Sequence, residues 1–180
     1  MIYYAGFTLG IRMQDQNSQQ QPVMNNEALC AEHWRKFIAE QVCEVDHNVH
    51  YECWYFGDSE SMAAKLGQLV KQGVKTATSS LLWEYEADGE ALPEAGEYSI
   101  ITTWNGDPIC IIQTIDVAVM PFDKVAAEFA NAEGEGDRSL DYWRMVHWKF
   151  FSRVCKVISR APSMTMPVVC ERFQLVYPLP

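Results

Sequence analysis

The chain has 180 residues, with 14 Lys plus Arg against 24 Asp plus Glu and a net charge of −10. Its length suits one domain able to bury a core without disulfide or metal staples. Its 48% apolar and 21% charged residues exclude a disordered chain, no run approaches the ~18 apolar residues of a membrane span, and the acidic surplus excludes indiscriminate coating of nucleic acid.

The N-terminal run Met1-Ile2-Tyr3-Tyr4-Ala5-Gly6-Phe7 lacks a basic lead and is too short to read as a signal peptide or anchor. Residues 14–22 are polar up to a closing proline, which predicts a disordered leader over 1–24, native or added, before one folded domain over 25–180. Leu29, Trp34, Phe37, Ile38, Val42 and Val45 recur at helical spacing, with Asn25 or Asn26 as the cap. A second helix fits Asp58 to Gln72, capped by Asp58 and ended by Gly73. Between them, the aromatic run from Tyr51 to Gly57 reads as core or pocket wall.

After Gly73 the texture turns to β. Val74–Ser79 is rich in β-branched residues, and Leu81–Tyr85 either continues that strand or turns. Tyr98–Trp104 and Pro108–Met120 read as strands joined at Asn105-Gly106, a two-residue hairpin signal. Pro121-Phe122-Asp123 starts a short helix through Phe129, and Asn131–Arg138 is a Gly- and acid-rich loop. Ser139 caps a third long helix with an apolar stripe of Tyr142, Val146, Phe150, Val154 and Val157 or Ile158. After Pro162, Met166–Tyr177 reads as a closing strand. The expected fold is α+β, with about five to six strands curled into a small barrel and helices packed outside.

Six cysteines without a C-x2-C pair, several in apolar strings, indicate a reduced, cytoplasmic chain. Cys43, His47, His50 and Cys53 set four zinc-type ligands within eleven residues, which is either a small structural site or a chance grouping. No Walker loop, G-x-G-x-x-G, G-x-S-x-G or H-E-x-x-H occurs.

Two segments carry chemistry. In Gly73-Val74-Lys75-Thr76-Ala77-Thr78-Ser79-Ser80, a lysine enters a strand among small residues and hydroxyls. Buried, it serves as a lowered-pKa base toward a threonine or holds an anion as a cation; otherwise it snorkels to solvent. In Glu133-Gly134-Glu135-Gly136-Asp137, acids alternate with glycines before a helix. Glu133, Glu135 and Asp137 either hold a divalent metal or simply suit the helix N-terminus; no other cofactor is implied. Further on, Lys149, Arg153, Lys156 and Arg160 align along one helix face, as a solvated surface or a phosphate-facing stripe with Trp148 nearby for stacking.

Together these segments resemble the ASCH domain family, small β-barrels similar to the PUA fold. Gly73-x-Lys75-x-x-Thr78 matches its G-x-K-x-x-T signature. Trp54-Tyr55-Phe56-Gly57-Asp58, Leu92-Pro93-x-x-Gly96, Glu133 to Trp143 and Cys170-Glu171-Arg172-Phe173 look like its longer bacterial members. The resemblance spans roughly Glu27 to Tyr177 and implies an RNA-associated role in a cleft beside the signature. Small members look like N4-acetylcytidine amidohydrolases, and longer ones resemble ribonucleases. Carried over, the catalytic set is Lys75, Thr78 and Glu135, with Glu133 as the alternative acid. Trp54, Gly73, Ser79, Ser139, Lys149, Arg153 and Lys156 are the candidate ligand-binding residues.

The implied function is therefore a possible hydrolase, ribonuclease-like in the first instance. The alternatives are a nucleoside amidohydrolase and a non-catalytic RNA-binding module. The two chemistries differ in one group: amide hydrolysis needs a neutral Lys75 to deprotonate Thr78, whereas RNA cleavage needs a charged Lys75 beside a basic Glu135. The expected partner is RNA or a modified nucleoside, with no membrane. The acidity is also uneven: residues 84–97 hold six acids and no base, and 142–172 hold six Lys or Arg and one acid.

Overall fold

The computed structural model describes residues 24–40 and 49–179. The expected leader up to residue 23, together with Val42, Cys43, Val45 and His47, lies outside the described residues. Of the grouped zinc-type ligands, His50 and Cys53 remain within them.

The described helices are α1 (Met24–Glu40), α2 (Glu60–Lys71), α3 (Leu82–Asp88), α4 (Ala127–Glu133) and α5 (Leu140–Val157). The strands are β1 (Tyr51–Trp54), β2 (Ala77–Leu81), β3 (Tyr98–Thr102), β4 (Pro108–Pro121) and β5 (Pro167–Tyr177). They form one sheet in the order β1-β3-β4-β5-β2. β1 runs parallel to β3, while β3–β4 and β2–β5 are antiparallel. The α+β class agrees with the expectation, and the barrel does not. Closure requires the outermost strands to pair, and here β1 and β2 terminate the sheet. At four and five residues they have the short length typical of edges. No helix among the described residues is long and apolar enough to cross a membrane.

The fold divides into two compact units. The first comprises the described residues within Met1–Lys71, Glu97–Gln113 and Leu175–Pro180. Its core gathers Cys30, Trp34 and Phe37 of α1 with Ile100 and Ile111 of the strands. Cys110, Ile111 and Ile112 are all buried in succession, which requires cover on both sheet faces. Helix α1 starts at Met24, so Asn25 and Asn26 lie in its first turn and neither is the cap. The Asn26 side chain donates to the Asn105 carbonyl instead. Ser59 replaces Asp58 as the start of α2: its hydroxyl accepts from Met62 N–H at 3.4 Å and its carbonyl from Ala63 N–H at 2.9 Å. The Asn105-Gly106 hairpin is longer than expected. Gly106 N–H donates to the Thr103 carbonyl at 2.9 Å, Gly106 alone of the two has positive φ, at 88°, and a bulge falls at Ile101/Thr102. The extra residue makes the glycine follow the turn rather than form its centre.

The second unit comprises Gln72–Gly96 and Thr114–Gln174. Ala77, Leu81, Phe122, Phe129, Trp143 and Phe151 anchor its core. Three expectations shift here. Leu81–Tyr85 opens helix α3, because the Glu84 carboxylate accepts from Leu81 N–H at 3.0 Å and Gly89 closes the helix at φ 70°. The strand expected from Val74 begins only at Ala77, since Thr76 N–H donates to the Ala132 carbonyl at 2.8 Å. On α5, the buried residues are Trp143, His147, Phe151, Val154 and Cys155, whereas Val157 is 49% exposed. The buried face is one position round from the expected stripe. Aromatic bulk decides it: Trp143 and Phe151 lie 5.2 and 6.3 Å from the Phe122 ring.

Candidate active site

The polar centre of the second unit is built from two backbone turns. Gly73 takes φ +67° and redirects the chain after α2. The following segment is fastened to the end of α4, where Thr76 donates to the Ala132 carbonyl through both its N–H, at 2.8 Å, and its hydroxyl, at 3.3 Å. Gly134 ends α4 at φ +73°. A Cβ there would lie 2.6 Å from the Val74 carbonyl oxygen, so only glycine permits this approach. The close approach delivers Lys75, the next residue, to the acids on either side of Gly134.

Lys75 Nζ donates to Glu133 Oε2 at 3.1 Å and to Glu135 Oε1 at 2.8 Å. Lys75 and Glu133 are each 1% exposed, and Glu135 is 18% exposed. Glu133 Oε1 accepts from Ser79 Oγ at 2.6 Å and from Trp143 Nε1 at 2.7 Å. His147 stacks on Trp143 with centroids 4.4 Å apart and 18° between planes. Its Nδ1 lies 3.0 Å from the Trp143 carbonyl, a donor geometry, and its Nε2 lies 3.6 Å from Glu133 Oε1. With Nδ1 carrying a proton toward the carbonyl, an imidazolium also presents N–H to the carboxylate.

The charges support one another. Burial opposes the charge on Lys75, but Glu133 and Glu135 outweigh it and raise the ammonium above the ordinary lysine range. Burial likewise pushes Glu133 up, yet Lys75, His147 and the hydrogen bonds from His147 and Ser79 hold it well below the usual carboxylate range. Burial also opposes a charge on His147; the Glu133 charge and hydrogen bond, with Glu135 and the Trp143 carbonyl, raise it above the ordinary imidazole value. Cys170, beside this centre, is pushed up to about 12 by burial and by the Glu133 charge. The two carboxylates differ in access. Glu133 is buried and engaged at both oxygens, whereas Glu135 reaches the surface.

Of the residues expected at the site, Lys75, Glu135, Glu133 and Ser79 come together. Thr78 does not share their position. Successive strand side chains alternate faces, so Thr78 points away from the side of Ser79, and its antiparallel partner is Glu171. Glu171 accepts from Thr114 at 2.6 Å. Ser139 caps α5, accepting from Tyr142 N–H at 3.1 Å. Gly73 contributes its turn, and Trp54 packs on Phe56 at 4.6 Å in the first unit. Lys149, Arg153 and Lys156 are exposed on α5, with Arg153 5.7 Å from the Phe150 ring. Arg160 is tied to Glu86 at 2.8 Å and lies over Trp83.

Among the described residues, no three His, Cys, Asp or Glu side chains group so as to hold a metal ion. Glu133 is committed to Lys75, Ser79 and Trp143, and Asp137 accepts from Ser139 N–H at 2.8 Å. The sequence reading did not assign Trp143 and His147 to the site. Their signal is a W-x-x-x-H spacing, which places both rings on one helix face.

The fold and this buried Lys–Glu centre define an α+β domain with a strand-entry lysine. The ASCH domain model matches residues 52–177. The chain is 32% identical to the crystallised ASCH domain from Lactobacillus crispatus JV V101, with a TM-score of 0.80, covering 84% of this chain and 96% of that one. It is 35% identical to a protein from Enterococcus faecalis V583, with a TM-score of 0.72, covering 86% and 91%. No curated protein matches the chain. The chain belongs to the ASCH domain family, whose PUA-like fold is associated with RNA binding.

Proposed function

We propose that the chain binds RNA beside the Lys75 centre and cleaves its phosphodiester backbone. One observation carries this reading: the Lys75 ammonium lies 2.8 Å from a carboxylate, Glu135, that is itself 18% exposed. Glu135 is the group that faces substrate. It takes the proton of a 2′-hydroxyl, the 2′-oxygen forms a bond to phosphorus, and the 5′-oxygen leaves with a proton from water. Lys75 holds Glu135 in place and, as Glu135 turns to the hydroxyl, offers positive charge to the developing phosphorane. Glu133 keeps the lysine charged, and Ser79, Trp143 and His147 orient the Glu133 carboxylate. The family setting and the cations on α5 supply the RNA context.

A charged lysine suits this chemistry better than amide hydrolysis, in which Lys75 must be a neutral base. The exposed Lys149, Arg153 and Lys156 favour, as a second reading, RNA binding without turnover.

The test compares a single-stranded RNA substrate with N4-acetylcytidine. Glu135→Gln is expected to lower RNA cleavage at least a hundredfold, within the ~10²–10⁴ range of general acid–base catalysis, with binding retained. Lys75→Arg is expected to keep part of the cleavage, because arginine stays cationic but cannot act as a base. Turnover of N4-acetylcytidine abolished by Lys75→Arg, with no RNA product, would assign amide hydrolysis instead. RNA bound but never cut would assign the binding module.

A further inference from the structure

Before Glu135 takes a proton, the Lys75 centre has no net positive charge with which to hold a phosphate. Glu133 and Glu135 carry two negative charges against one on Lys75, and a protonated His147 brings the sum only to zero. A phosphodiester carries one negative charge and gains a second as the phosphorane forms. Lys75 turns toward it only as Glu135 leaves the ammonium, so seating the phosphate falls to a second cation. Most cations of the second unit are engaged elsewhere. Arg144 donates to the Asp123 carbonyl at 3.3 Å, Arg160 pairs with Glu86 at 2.8 Å and Arg172 with Glu128 at 3.3 Å. Lys149, the first cation of the α5 stripe, stands about 15 Å along the helix from its cap.

Arg138 is placed differently. Its N–H donates to the Glu135 carbonyl at 2.9 Å, closing a turn over Gly136 and Asp137 that sets the two Cα atoms within ~7 Å of each other. The turn is clamped at both inner positions. Gly136 takes φ +57° against the Tyr142 ring, where a Cβ would lie 2.4 Å from two ring carbons, and Asp137 accepts from Ser139 N–H at 2.8 Å. Arg138 itself holds φ +63°, a conformation that side chains rarely adopt and glycine takes freely. Glycine already serves at 134 and 136, yet a long cation occupies this position. Arg138 is exposed, and among the described residues its guanidinium has no ion-pair or hydrogen-bond partner.

We infer that Arg138 is a phosphate-binding residue, whose guanidinium takes the non-bridging oxygens of the scissile phosphodiester and so brings the 2′-hydroxyl to Glu135. The inference rests on the RNA reading of the Lys75 centre and adds to it the residue that seats the substrate. Arg138 meets the phosphate before the reaction as well as during it, so its loss acts first on KM.

The test uses the full chain with a short single-stranded RNA for kinetics. A 2′-O-methyl oligonucleotide of the same sequence, which has no free 2′-hydroxyl to attack, reports affinity alone. Arg138→Gln is expected to raise KM and weaken binding at least tenfold, with kcat falling less. Arg138→Lys should recover part of that loss, because an ammonium keeps the charge without the planar fork. Arg138→Gly separates binding from structure: it removes the guanidinium but suits φ +63°, so the melting temperature is expected to hold or rise while affinity falls as in the glutamine variant. A lowered melting temperature with affinity intact would make Arg138 structural and overturn the inference. Unchanged KM and affinity in the glutamine and glycine variants, with RNA still cut, would overturn it and leave the nuclease standing. Weakened binding in both variants, with no RNA cut by the native chain, would overturn the nuclease and uphold the phosphate contact.

Discussion

Lys75 Nζ lies 3.1 Å from Glu133 Oε2, and both side chains are 1% exposed. Neither group would be tolerated there as a lone charge, because burying an ion is compensated only by a close partner and saturated hydrogen bonding. Glu133 has both: Ser79 and Trp143 donate to its second oxygen. Lys75→Met strands a buried carboxylate and is expected to destabilise the fold by about 3–5 kcal/mol. Adding Glu133→Gln to Lys75→Met should recover at least half of that loss in urea denaturation. An additive double variant would show that the two residues do not act as a pair.

The same centre imposes a pH dependence. His147 is raised in the folded state by Glu133, so its contribution is complete below the unfolded imidazole value of ~6.5 and is lost as pH rises through the folded value. Glu133 is depressed by Lys75 and His147, so its contribution is present above the unfolded carboxylate value of ~4.3 and is lost as pH falls below it. The stability gap between the native chain and His147→Gln should therefore be widest near pH 5.5 and shrink toward pH 9. Melting temperatures across that range check it, and a gap that grows with pH would contradict the assignment.

Glu84 behaves in the opposite sense to Glu133. Burial pushes its carboxyl up to about 7, against the hydrogen bond from Leu81 N–H. The folded chain then holds a proton that the unfolded chain has released, so stability declines from ~4.3 up to about pH 7 and levels off above. Glu84→Gln keeps an acceptor for the helix start and has nothing to ionise. It should match the native chain near pH 4 and exceed it by about 1–3 kcal/mol at pH 8, measured by chemical denaturation.

Gly134 holds the two halves of the centre together. Gly134→Ala meets the Val74 carbonyl and must keep φ +73°, so a loss of about 2 kcal/mol or more is expected. The Lys75 head shifts with the displaced backbone. On the proposed function, RNA cleavage should therefore fall by more than the stability loss alone accounts for when assayed well below the melting temperature. Full activity in a destabilised variant would show that the approach is not needed for the site.

The α5 cations have their own readout. If Arg153 and Lys156 each neutralise a phosphate, Arg153→Glu with Lys156→Glu should lower the slope of log affinity against log salt by about 1.4, ~0.7 for each contact on single strands. Cleavage of a short substrate at saturation should change far less, since these residues lie outside the Lys75 centre. An unchanged slope assigns the stripe to solvent.

The sequence by itself determined the elements that local chemistry controls. Gly73 and Ser139 announce a turn and a helix cap, and both positions adopt them. The resemblance carried by the G-x-K-x-x-T run pointed to Lys75 with Glu135 or Glu133, and the fold brings all three into contact. Misread elements depended on contacts distant in the chain. The strand starts at Ala77 because Thr76 is tied to Ala132, and the buried face of α5 turns toward Phe122. Only the tertiary structure separated the carboxylates, burying Glu133 under Ser79, Trp143 and His147 while leaving Glu135 at the surface. It also set Thr78 opposite Glu171 on the other face of β2, because a strand alternates its side chains whatever a linear motif groups together. Two acids two residues apart are chemically alike in sequence, and burial is what gives them different work.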